Sequence, residues 1–268
     1  TRKYQIKVSL RLKLKEFLFN NNFLYRNTKF AELIAYYYLK KCHEDDYYFY
    51  ELFGNRKEVT IIDIGANYGQ SVISFASVLP HAKIISFEPN LDCIEYLEMI
   101  SKFTRANYEF HKVGLGSKEI IKDLYIPKIK NTLVTQEASF DRDQLNQPDV
   151  IERIGNNFEI VKQESTIKKL DDYNLRPDII KIDVQGLEED VLRGSLETIK
   201  KYLPSLMIES NRHNNFIFET LKDCDYQVFT FNKALKCLKG WDLDEDIPFE
   251  ENLIYLTKEH INEFNIEA

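Results

Sequence analysis

Short apolar runs and longer amphipathic stretches alternate from residue 58 to the C-terminus. The runs 59–64, 83–88, 108–113, 179–184 and 205–209 each end on a glycine, a proline or a polar segment. Most are dense in β-branched residues, the mark of strands buried on both faces. Between them, 67–79, 90–102 and 187 to about 200 carry apolar residues at helical spacing. Pro80 follows the first of these, and Asn90 is placed to cap the second. Two late runs, 226–231 and 253–256, read as strands that close one edge of a sheet as an antiparallel pair. Strands alternating with helices at this spacing predict an α/β fold with a doubly wound, mostly parallel sheet.

Residues 1–57 have a different texture, rich in Lys, Asn and Tyr and nearly free of Gly and Pro. Lys7, Arg11 and Lys15 recur every four residues, with Leu10, Leu14, Phe17 and Leu18 on another face. That pattern favours an amphipathic helix, although Ile6, Val8, Leu10, Leu12 and Leu14 also alternate as a strand would. A second helix is expected over 28–41. Tyr36, Tyr37, Tyr38, Tyr47, Tyr48 and Tyr50 read as packing and surface aromatics. The division expected is a helical N-terminal extension, 1–57, before a catalytic domain, 58–268. The extension could form a homodimer, cover the site or attach the domain to a larger enzyme. Within the domain, 128–163 is polar and irregular, with Pro148 and Gly155. It reads as an inserted lid or hairpin over the ligand end of the sheet.

A formal net charge of -7 over 268 residues argues against a nucleic-acid partner. Cys42, Cys93, Cys224 and Cys237 are scattered, without C-x-x-C or metal-site spacing. Reduced thiols and a cytoplasmic location are therefore expected. No apolar run is long enough to span a membrane. The chain opens on Thr1 rather than Met, which leaves room for an upstream segment.

The candidate chemistry lies where apolar runs end. T-I-I-D-I-G-A-N-Y-G-Q (60–70) turns on Gly65 and Gly69 into a helix whose first amides can bind a carboxylate. Asp63 can order that loop or face an ammonium. A dinucleotide site wants Gly-x-Gly-x-x-Gly, and those places hold Gly65, Asn67 and Gln70. The spacing points to S-adenosylmethionine instead. Glu88, ending the second run, can accept both hydroxyls of a ribose. In K-I-D-V-Q-G-L-E (181–188), Lys181 and Asp183 share one side of a strand, and Gly186 permits a tight exit.

Together these blocks resemble the FkbM family of S-adenosylmethionine-dependent methyltransferases. The resemblance runs from about residue 59 to the C-terminus. It is carried by D-I-G-A-N-Y-G-Q (63–70), F-E-P-N (87–90), V-G-L-G-S (113–117), S-T-I-K-K-L-D-D (165–172) and K-I-D-V-Q-G-L-E-E-D-V-L-R-G (181–194), with weaker support from P-S-L-M-I-E (204–209) and N-L-I-Y-L (252–256). It implies a Rossmann-like class I methyltransferase fold with the cofactor on the first two strand ends. The cofactor-binding residues implied are Asp63, Gly65, Ala66, Asn67, Gly69, Gln70, Glu88, Pro89, Gly114 and Asp183. Position 185 holds Gln where the family more often has Glu, which weakens a catalytic acid there. The implied reaction is in-line methylation of a hydroxyl on a sugar, glycan, nucleotide-sugar or other natural product. Candidate bases follow the fifth parallel run: Glu209, Asn211, Arg212 and His213. Asp183 is a rival as base, substrate binder or metal ligand, and His111 reads as structural. No ligand cluster stands out, so metal independence is expected. A nucleotide- or nicotinamide-dependent enzyme and a non-catalytic module that keeps the fold are the alternatives.

Overall fold

Isoleucines on successive positions of one strand bury both faces of a central sheet. In the computed structural model, which describes residues 19–210, 214–241 and 251–266, Ile61 packs into one core and Ile62 into the other. The parallel strands are β1 (Thr60–Ile64), β2 (Lys83–Phe87), β3 (Asn107–His111), β8 (Ile179–Ile182) and β9 (Ser205–Glu209). From β1 the chain winds outward to β2 and β3, then crosses to the other side for β8 and β9. β12 (Asn252–Thr257) slots antiparallel between β9 and β10 (Tyr226–Asn232). This is the Rossmann-like class I methyltransferase arrangement. The expected antiparallel pair is present, but it does not form the edge. That place belongs to β11 (Cys237–Gly240), a strand too short and polar to stand out in the sequence.

Several helices differ from the expected ranges for local reasons. Residues 1–18 lie outside the described residues, and with them the expected first amphipathic helix. α1 (Asn22–Leu39) starts earlier than expected because Asn21 caps it, its side chain accepting from the Leu24 N–H at 3.2 Å. α2 (Gln70–Val78) starts later than expected because residues 65–69 form a loop. A short 3-10 turn, Leu91–Cys93, capped by Asn90, precedes α3 (Ile94–Phe103). The helix expected over 187–200 is broken into α5 (Glu188–Arg193) and α6 (Leu196–Tyr202). Gly194 at the break touches another strand's exit. A Cβ there would stand 1.9 Å from the Gly116 carbonyl oxygen.

The expected insert, 128–163, is part of a longer and more regular unit. β5 (Ile120–Ile129) and β7 (Glu159–Lys168) pair antiparallel along their length. With β4 (Gly114–Leu115) and β6 (Thr132–Leu133) they form a second, four-stranded sheet. Leu124 and Ile126 on β5 turn inward. The solvent side carries cross-strand charges, such as Lys162–Asp123 at 2.8 Å. That polar face hides the strands from a hydrophobicity pattern. α4 (Pro148–Ile154) and two 3-10 turns join β6 to β7.

The stretch before β1 is core, not ornament. A 3-10 segment, Asp45–Asn55, buries Tyr47, Phe49, Tyr50 and Phe53 against α2 and the C-terminal helix α8 (Lys258–Phe264). Phe53 is fully buried beside Phe264 and beneath the Arg56 guanidinium, 4.5 Å from the ring. Truncating it leaves a ring-sized void in a close-packed core. Phe53→Ala is therefore expected to lower stability by about 3–5 kcal/mol, read as a fall in urea midpoint with unchanged slope. A change under 1 kcal/mol would mean that this segment is not part of the cooperative unit.

Candidate active site

The winding of the sheet reverses between β1 and β8, so the connections leaving their C-terminal ends run in opposite directions and leave a crevice. Gly65 occupies the first position after β1. It continues the ladder by donating to the Phe87 carbonyl at 2.9 Å, with φ of 84°. The Asp183 N–H donates to Ile64 O at 3.1 Å from the other side. A Cβ on Gly65 would stand 1.8 Å from the Asp183 carbonyl oxygen, so only glycine fits between the two strands. Asn67 is left-handed at φ 47°, a conformation Asn tolerates better than most residues. Its side chain joins elements far apart in sequence: Oδ1 accepts from Thr135 Oγ1 at 2.9 Å and from Cys93 Sγ at 3.4 Å.

Glu88 follows β2. Its Oε2 accepts from the Asn67 N–H at 2.7 Å and its Oε1 from the Asn90 N–H at 2.8 Å. It is buried yet lines the cavity. Burial pushes its pKa up to about 7, partly opposed by those two N–H donors. Each carboxylate oxygen keeps a further lone pair for a ligand hydroxyl.

Beneath the loop runs a row set by strand register. Ser86, Asp63 and Lys181 are direct neighbours on β2, β1 and β8. Asp63 Oδ2 accepts from Ser86 Oγ at 3.0 Å and Ser71 Oγ at 2.8 Å, while Oδ1 stands 3.7 Å from Lys181 Nζ. Lys181 then reaches Asp183 Oδ2 at 3.1 Å. Burial pushes the Lys181 pKa down, but Asp183 and Asp63 outweigh it and hold the ammonium above the ordinary lysine value. Past β8, Gln185 is left-handed at φ 54°. Its amide points to Asp183 Oδ1 and Glu209 Oε2, both at 3.4 Å. The fully buried Glu188 ties the turn by accepting from Val184 N at 3.1 Å and Gly186 N at 3.2 Å.

Of the residues singled out in the sequence, Gly65, Ala66, Asn67, Gln70, Glu88, Pro89, Gly114, Asp183 and Glu209 line one cavity. Asp63 does not reach it; its carboxylate is consumed by the buried row. Gly69 opens α2 and faces Ile100 instead. His111 stacks on Phe87, with centroids 4.9 Å apart. Asn211, Arg212 and His213 lie outside the described residues. Two walls were not foreseen residue by residue. His43, Glu44 and Tyr47 come from the segment before β1, and Thr135 and Phe140 from the second sheet's connection. The latter wall is braced from behind, where Arg153 donates to both oxygens of the buried Glu137 at 2.8 and 3.0 Å. No sequence motif marks His43, which stands outside the residues carrying the resemblance. Among the described residues no group of His, Cys, Asp or Glu is placed to hold a metal ion, and no helix is long and apolar enough to cross a membrane.

Comparison with known proteins places these features in a family. The family model described as methyltransferase FkbM domain matches residues 63–228. A curated relative, Methyltransferase 1 of Beauveria bassiana, is 26% identical over 144 residues, covering 50% of this chain and 57% of the relative. A crystal structure of methyltransferase FkbM from Methylobacillus flagellatus is similar at 17% identity and a TM-score of 0.46, over 79% of this chain and 50% of that one. An rRNA methylase from Streptococcus thermophilus is similar at 11% identity and a TM-score of 0.39, over 79% of this chain and 93% of that one. The chain thus spans little more than half the length of the curated relative and half of the first solved structure. The family match extends from the acid of β1 through both glycines, Glu88, Asp183 and on to β10, more than half of the chain: this protein belongs to the FkbM methyltransferase family.

Proposed function

We propose that this protein is an S-adenosylmethionine-dependent O-methyltransferase of the cytoplasm, acting on a hydroxyl of a sugar, glycan or nucleotide-sugar. The observation that carries the reading is Glu88: a buried carboxylate at the end of β2, oriented by two backbone N–H groups and open to the cavity. Its free lone pairs suit the two adjacent hydroxyls of a ribose. The first turn of α2, opening at Gln70, presents backbone N–H groups and the positive end of the helix dipole to a carboxylate. Asp183, at the mouth of β8, is placed for an ammonium or for the acceptor. The residues present therefore fit the cofactor.

When bound, the cofactor would supply an activated methyl group on a sulfonium with a good leaving group. What remains for the protein is alignment, which can contribute roughly 7–11 kcal/mol. Gly65 lets the backbone come close to the ligand, while Asn67 and Thr135 fasten the loop to the second sheet. Asp183, Gln185, Glu209 and Glu44 line the remaining part of the cavity with hydrogen-bonding groups. The polar character of this part of the cavity supports a hydroxylated, sugar-like substrate over an apolar one.

Calorimetric titration tests the cofactor. S-adenosylhomocysteine is expected to bind wild type, and NAD is not. Glu88→Ala removes an ionised acceptor for two hydroxyls and loosens the glycine loop, so affinity is expected to fall by at least about 100-fold, taking roughly 1.5–3 kcal/mol per charged hydrogen bond. Binding of NAD by wild type, or undiminished binding in the variant, would contradict the reading.

The same carboxylate sets a pH dependence. In the free protein Glu88 titrates at about 7, and both hydroxyls bond best to its ionised form. Below that value binding must expel a proton, so affinity is expected to weaken about tenfold per pH unit as the pH falls, and to level off above it. Glu88→Gln carries no such proton, and its weaker binding is expected to be flat between pH 5.5 and 8 (about the range spanning the shifted pKa). A pH-independent wild type would remove Glu88 from the binding site.

A further inference from the structure

We propose that His43 is the proton acceptor for the substrate hydroxyl, contributed to the cavity by the segment that precedes β1. This inference rests on the methyltransferase reading above. His43 lines the same cavity as Asp183, Gln185 and Glu209. Its position is built, not incidental. The His43 backbone N–H donates to Ser74 Oγ at 2.8 Å, and Ser74 Oγ in turn donates to the Gln70 carbonyl at 2.9 Å. The residue is thereby fastened to α2, whose first turn forms the cavity wall.

The carboxylates nearby are already engaged. Asp183 holds the Lys181 ammonium on Oδ2 and faces the Gln185 amide with Oδ1; Glu209 faces that amide too. Among the described residues, no hydrogen bond ties the His43 ring. Its Nε2 stands 3.9 Å from Glu44 Oε1, outside hydrogen-bond reach but inside the range at which a carboxylate steadies an imidazolium. Glu44 is itself positioned by β12, where Asn252 Nδ2 donates to its Oε2 at 2.5 Å. With 38% of its side chain exposed, His43 can pass a proton on to water.

The charged groups around the ring are Glu44 from its own segment, Lys181 from β8, Asp183 just past its end, and Glu32 from α1. Burial lowers the His43 pKa first; Glu44 raises it, Lys181 lowers it, and Asp183 and Glu32 raise it, with a net fall below the ordinary histidine value. The shift favours the neutral ring, the form able to take a proton. As the acceptor oxygen gains its bond to the methyl carbon, its proton moves to the imidazole. The carbon–sulfur electron pair stays with sulfur, and the imidazolium returns its proton to water.

The test needs no knowledge of the acceptor. An adenosine carrying an aziridine in place of the sulfonium alkylates the nucleophile nearest the transfer site. Its strained carbon–nitrogen bond opens as the imidazole nitrogen attacks, and the released amine takes a proton. Peptide mapping is expected to find the adduct on His43, and His43→Gln is expected to lose it while binding S-adenosylhomocysteine as wild type does. An adduct on Asp183, Glu209 or His213, or none on a protein that binds S-adenosylhomocysteine, overturns the proposal. A second readout is nitrogen NMR of the S-adenosylhomocysteine complex at pH 7. A neutral His43 ring is expected there, and a cationic ring overturns the proposal because it has no lone pair to offer. If wild type binds no S-adenosylhomocysteine, it is the cofactor reading that fails, a result distinct from either of these.

Discussion

A buried charge row underlies the ligand end of this sheet. Asp63 is wholly enclosed, and strand register sets Lys181 directly beside it and Ser86 on its other flank. Two serine hydroxyls and one ammonium compensate a carboxylate that burial would otherwise neutralise. Removing one partner of such a pair typically costs about 3–5 kcal/mol, because the other is left charged and dry. The row also projects outward. Lys181 spans Asp63 and Asp183, so a core interaction fixes the first side chain of the crevice. Fold and site share these atoms.

Close backbone contact is the second constraint. Gly65 admits no side chain because Asp183 O lies where a Cβ would go, and Gly194 admits none because Gly116 O does. The first contact brings the ends of β1 and β8 together. The second locks the start of the second sheet against the α5–α6 break. Ser117 adds a hydrogen bond of 2.6 Å to Asp190 at the same junction. Gly116 and Gly194 thus read as packing requirements within V-G-L-G-S and the terminal R-G of the strand–helix block, whereas Gly114 lines the cavity.

The parallel strands were legible because burial on both faces leaves uninterrupted apolar runs with sharp ends. The row of candidate residues along those ends was legible for the same reason, since a doubly wound sheet puts its strand exits in one crevice. Asp63 shows the limit. An acid at the end of β1 can order the loop or face a ligand, and only strand register reveals that Ser86 and Lys181 stand beside it in a buried row. The stretch 128–163 was read as an irregular lid or hairpin, and the antiparallel pair of β5 and β7 that frames it was not anticipated, because its outer face is charged and Pro127 interrupts the pattern. His43 was invisible for a different reason. Its role depends on a hydrogen bond to Ser74 and a packed 3-10 segment, neither of which has a sequence period.

The two walls that escaped the sequence both attach to the part of the protein that holds the nucleoside on the proposed reading. His43 is fastened to α2 through Ser74, and Thr135 to the glycine loop through Asn67. Glu88 depends on neither, since its partners are the backbone of Asn67 and Asn90. Loss of the Thr135 hydroxyl or the Ser74 hydroxyl would shift a wall without emptying the Glu88 carboxylate of its donors. Changes in these segments can therefore reshape the acceptor end while leaving the nucleoside end intact. The His43 wall precedes the stretch matched by the family model, at residues 63–228. On the proposed reading, the part of the fold that the family model matches holds the donor, and a wall supplied from outside that stretch faces the acceptor.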